Sequence, residues 1–167
     1  MNTTTRALLV ACLALPFVAA CQKQDAAQEQ TAEAAQAPLS APTTNDEAAW
    51  GAYLIEVVKR NMDDVSGSPY LYAMPSESDP DFQGSYDRLL EKAQQDLQRG
   101  IVAGNLLAYG GPSSAKTADF TIASFTGVQP DSMKGVKVLF IGKAEDNARV
   151  QAAVAPTGVN YKFIEAK

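Results

Sequence analysis

The chain has 167 residues, a formal charge of -5 from 14 basic and 19 acidic residues, and an apolar fraction of 46%, the profile of one globular domain with a mildly acidic surface. That charge repels nucleic acid, and no basic patch offsets it. The chain holds no histidine, which excludes a Ser-His-Asp triad and removes the commonest general base and metal ligand at neutral pH, so neither a metal site nor a cofactor is expected.

The two cysteines, Cys12 and Cys21, both lie near the start of the chain. The remainder therefore has no thiol nucleophile, disulfide or Cys-x-x-Cys redox motif. Around these cysteines the residues follow the order of a secretory signal peptide: polar Met1 to Thr5, the positive charge of Arg6, an apolar run from Ala7 to Ala20, then small residues. A membrane-spanning helix needs roughly 20 apolar residues. This run is shorter, is interrupted by Pro16, and gives way at once to Gln22-Lys23-Gln24-Asp25.

Val18-Ala19-Ala20-Cys21 resembles the lipobox of bacterial lipoproteins, in which an aliphatic residue and two small residues precede an obligatory cysteine. The resemblance implies that residues 1–20 are removed as a signal peptide. It implies that Cys21 carries a diacylglyceryl thioether and that its new amine receives a fatty acyl chain such as palmitate. One acyl chain binds a bilayer only marginally, at about 0.8 kcal/mol per buried methylene, whereas the two or three chains of this family hold firmly. In lipoproteins of this kind an aspartate after the cysteine implies retention at the inner membrane. Gln22 stands there, which implies sorting to the outer membrane, facing the periplasm.

Residues 21–44 comprise this cysteine and an Ala/Gln/Pro-rich stretch with no aromatic residue and one large aliphatic, Leu39. Such a segment buries too little to offset its ordering entropy, so a disordered tether is expected, spanning roughly 25 Å. Pro38 and Pro42 break any transient helix.

Residues 45–167 carry organised pattern. Thr44-x-x-Glu47 fits a capping box, followed by Trp50, Tyr53, Leu54, Val57 and Val58 at helical spacing, fading near Asp63. Tyr70 to Met74 reads as a strand. Ser78 is the expected cap of a second helix with Phe82, Tyr86, Leu89, Leu90, Ala93 and Leu97 on one face, ending at Gly100. Asn105 to Tyr109 predicts a strand. Ser113 to Phe125 mixes a cap-like start with strand-favouring residues and is read as helix. Val136 to Ile141 is a strand buried on both faces, Lys143 to Ala155 a helix, and Val159 to Glu165 a final strand. Alternation of this kind predicts a three-layer α/β domain around a mainly parallel four-stranded sheet.

The candidate chemistry lies at one turn. Gly110, Gly111, Ser113, Ser114, Lys116 and Thr117 stand between a predicted strand and a predicted helix, where backbone N–H groups, hydroxyls and a lysine suit a small anion. The segment nearly matches a P-loop, but Ala115 replaces the second glycine. Ser113-x-x-Lys116 matches the nucleophile motif of penicillin-binding proteins and serine β-lactamases without their further motifs. Glu77-x-Asp79-x-Asp81 lacks the glycine and terminal glutamate of a calcium loop and reads as helix-cap chemistry. No catalytic constellation is complete. The function expected is therefore a non-enzymatic binding or interaction module of the cell envelope with an envelope protein as partner. The alternatives are a small periplasmic hydrolase using Ser113 and Lys116, and an inhibitor or immunity protein against a cationic toxin.

Overall fold

The computed structural model describes residues 37–167. The expected signal peptide, Cys21 and the tether up to residue 36 lie outside the described residues. The described part is a four-stranded sheet of order β1-β2-β3-β4, with every neighbouring pair parallel. The strands are β1 (Pro69–Ala73), β2 (Leu106–Gly110), β3 (Lys137–Gly142) and β4 (Asn160–Glu165). Helix α1 (Glu47–Lys59) precedes the sheet, and α2 (Phe82–Arg99), α3 (Ser114–Ser124) and α4 (Ala144–Val154) each connect one strand to the next. The α/β expectation holds, and the sheet is parallel throughout rather than mainly so.

Two-residue periodicity divides each strand between two cores. Leu106, Ala108, Leu139 and Ile141 face Trp50, Tyr53, Leu54, Val57 and Val58 of α1. Tyr72, Leu107, Tyr109, Val138 and Phe140 point the other way, against Ala93 and Leu97 of α2, Ala118 and Phe120 of α3, and Val150 and Val154 of α4. The central strands β2 and β3 are covered on both sides, so their sequences are continuously apolar instead of alternating. Tyr72 and Tyr109, neighbours in the β1–β2 register, stack with ring centroids 5.0 Å apart. The aromatic residues Trp50, Tyr53 and Tyr72 are thus core, with Tyr70 and Tyr86 at its margin. The ambiguous segment is helix, because burying Ala118 and Phe120 and capping at Ser113 outweigh the strand preference of its residues.

Three expectations are corrected. The tether does not extend to residue 44, because the compact unit begins at Ala37. Leu39 and Ala41 pack on the α1 core, and the indole N–H of Trp50 donates to Thr44 O at 2.9 Å. The cap of α1 is Asp46, whose Oδ1 accepts from Ala49 N at 2.6 Å. The Thr44 backbone is held by the indole, and Glu47 turns towards Ser76 N. The cap of α2 is Asp81 rather than Ser78, because Ser78 bonds to Ser76 in the preceding turn. Of the acids read as helix-cap chemistry, Asp81 is the N-cap by position, but its side chain makes no cap bond and pairs with Arg88 instead, while Asp79 accepts from Asp81 N.

Candidate functional site

The carboxyl ends of parallel strands are the usual place for a ligand in an open α/β sheet, and the predicted residues meet there. Gly110 ends β2, Ser113 is the N-cap of α3, and a single residue, Lys143, separates β3 from α4. A side chain at Gly110 would collide with Leu54, and a Cβ on Gly111 would lie 2.6 Å from the Cβ of Met74. These glycines permit close packing of helix on sheet and of loop on loop. Thr117 is fully buried, and its Oγ1 donates to Ser113 O at 2.8 Å.

Ser114 is buried too. Its Oγ donates to Asp146 Oδ2 at 2.6 Å and accepts from Lys143 N at 2.7 Å. Asp146 also accepts from Arg149 at 2.8 Å, and Arg149 reaches across to Asp119. Burial pushes the Asp146 carboxyl up, but the hydrogen bonds from Ser114 and Arg149 and the nearby cationic charges outweigh it. The net shift is downward, so the group stays ionised.

Of the six predicted residues, Ser113 and Lys116 remain half-exposed. The bond between them is from the Lys116 backbone N–H to Ser113 Oγ at 3.5 Å, a helix cap and not a proton path through the ammonium. A cleft of about 200 Å³ opens at this edge, lined by Gly111 and Ser114 together with Pro42, Trp50, Pro112 and Lys143. Among the described residues, no group of acidic or cysteine side chains could hold a metal. No described helix is long and apolar enough to cross a membrane.

A larger cavity, of about 420 Å³, opens at the opposite, amino edge of the sheet, between the last turns of α2 and α3 and the connection 125–136. Leu97, Ile101 and Met133 form its floor, and Gln94, Gln98 and Gln129 stand around it. Every lining residue is uncharged. The sequence reading missed this groove. Its one trace there is the i, i+4 pair Gln94 and Gln98 beside Leu97 near the end of an amphipathic helix, and exposed glutamines on a helix are commonplace.

Comparison with protein families, with curated proteins and with solved structures finds no match.

Proposed function

We propose that the chain is an outer-membrane lipoprotein, held by lipid on Cys21, whose α/β domain is a non-catalytic binding module facing the periplasm. The observation that carries the non-catalytic part is the internal engagement of the carboxyl-edge hydroxyls. Ser114 and Thr117 are bonded within the fold, and Ser113 caps a helix. A nucleophile needs an adjacent base and an open approach; Thr117 has neither, and Ser114, although it lies beside the Asp146 carboxylate, is buried with its Oγ also held by Lys143 N. The lipobox-like Val18-Ala19-Ala20-Cys21 supports the anchor, and the Ala/Gln-rich residues 22–36 support a tether that lets the domain reach another envelope component, with a protein as the expected partner.

The test is intact-mass spectrometry of the protein taken from membranes of a Gram-negative host, alongside a Cys21→Ser variant and in-cell photocrosslinking. The expected result is a mature chain beginning at Cys21 with added acyl mass, an unprocessed variant, and a crosslinked envelope partner. An unlipidated chain in the soluble fraction would overturn the anchor. Covalent labelling of Ser113 by a serine-directed probe would overturn the non-catalytic reading.

A further inference from the structure

We propose that the amino-edge groove, walled by the ends of α2 and α3 and the connection 125–136, is a binding site for an uncharged saccharide. This rests on the reading of the domain as a binding module and adds the place and the ligand class.

The topology moves the site away from its usual edge. In open parallel sheets a crevice forms at the carboxyl end where the strand order reverses and adjacent connections diverge to opposite faces. The order here is sequential, and α2, α3 and α4 all pack on one face. There is no reversal, and the carboxyl-edge turns after β2 and β3 are tight and tied together by Ser114. The longer irregular connection lies at the amino edge instead. Its cavity of about 420 Å³ falls within the range of small-molecule sites, roughly 300 to 1,000 Å³.

The connection 125–136 is held in a set shape. Asp131 N donates to Pro156 O at 3.0 Å, Met133 N to Thr157 O at 2.9 Å, and Gly104 N to Gly135 O at 2.8 Å. Asp131 sits at a positive φ of 57°, a conformation that costs energy outside glycine and persists where the surroundings enforce it. A wall fixed before the ligand arrives loses little entropy on binding.

The lining selects the ligand. With no charged side chain in the groove, an anion or a cation would give up its hydration without a counter-charge. The last turns of α2 and α3 both end here and present helix carbonyls that favour hydrogen-bond donors, while Arg99 in the last turn of α2 is paired with Asp96. A wholly apolar ligand would cover the half-buried Gln94 amide without replacing its water. A sugar ring satisfies every constraint: its hydroxyls donate to carbonyls and accept from amide NH2 groups, and its C–H face lies on Leu97, Ile101 and Met133. Gln98 is exposed at the rim and free to turn to it, whereas Gln94 is steadied by donating to Ala123 O at 3.2 Å.

The experiment is a titration of the full chain in detergent micelles with maltose and N,N′-diacetylchitobiose. A digalacturonate and the uncharged peptide acetyl-Ala-Gln-Ala-amide serve as comparisons. The readout is the side-chain amide NMR signals of Gln94, Gln98 and Gln129. The expected result is saturable shifts with at least one neutral sugar and with neither comparison ligand. Affinity should fall about fivefold in Gln98→Ala, the loss of one neutral hydrogen bond, and stay unchanged in Lys143→Ala at the opposite edge. Silence from both sugars, shifts with the peptide or the uronate alone, or undiminished binding in both Gln98→Ala and a groove-filling Ser132→Trp variant would each overturn the proposal. Mass spectrometry of the sugar after incubation separates the two readings: an intact sugar keeps the domain a binding module, a cleaved one overturns that reading alone.

Discussion

Ser114 and Asp146, 32 residues apart in sequence, meet through a 2.6 Å hydrogen bond in which the hydroxyl donates to the carboxylate. The bond joins the first turn of α3 to the first turn of α4, and Arg149 reinforces it by bridging Asp146 to Asp119. A serine that reads as a ligand contact in the sequence is a brace between two connections.

Removing the brace should cost stability and leave binding alone. Ser114→Ala orphans the Lys143 N–H and takes one donor from a buried carboxylate, a loss of about 1–3 kcal/mol. Ser113→Ala removes a long cap bond of 3.5 Å and should cost about 0.5 kcal/mol, the low end for caps. Urea denaturation followed by Trp50 fluorescence ranks the two. Equal losses would show that Ser114 is not the internal brace.

Acid should weaken the fold through Asp146 and Asp96. At Asp96, burial pushes the carboxyl up, but hydrogen bonds from Lys92 and Tyr72 and the charges of Lys92 and Arg99 outweigh it and hold it below the usual range. Asp146 is lowered likewise. A carboxyl with a depressed folded value contributes stability that is present above its unfolded pKa, about 3.9, and is lost as pH falls through the folded value. Stability from these two groups should therefore be flat above about pH 5 and fall below about pH 4. Asp146→Asn should be less stable at pH 7 and lose less on acidification. An unchanged acid slope in that variant would remove Asp146 from the account.

The architecture was legible because its signals are local and redundant. Leu106 to Tyr109 and Val138 to Ile141 are unbroken apolar runs, and the heptad-like stripe from Phe82 to Leu97 admits one face. The site was less legible for a physical reason. Glycines and serines at a strand-to-helix turn look alike whether they cradle an anion or let Gly111 pass Met74 and Ser114 reach Asp146, since the partner lies far away in sequence. The groove left only the Gln94 and Gln98 pair as a trace, because neutral glutamines acquire meaning only when α2 and α3 end side by side.

Gly111→Ala tests the packing role of that turn. The added methyl would lie 2.6 Å from Met74 Cβ and 2.8 Å from Met74 O, which is backbone and cannot yield. Overpacking of this kind costs about 1–3 kcal/mol. Thermal unfolding should show a lower midpoint with the folded-state circular dichroism spectrum retained. A neutral result would mean that β1 and β2 can separate locally and that Gly111 is free for another role.

The segment before α1 offers the last prediction. Leu39 and Ala41 pack on the α1 core, Ala41 N donates to Lys167 O, and Arg60 donates to Ala37 O at 2.6 Å. Trp50, the one tryptophan of the chain, is 7% exposed and donates its indole N–H to Thr44 O. If these contacts hold the segment as part of the domain, Leu39→Ala should cost about 1 kcal/mol, below the range for fully buried leucines because Leu39 is half-buried. It should also raise acrylamide quenching of Trp50 without unfolding the sheet. A neutral Leu39→Ala with unchanged quenching would return residues 37–44 to the tether, because a strap that contributes nothing to stability and shields nothing is a linker that happens to lie against the fold.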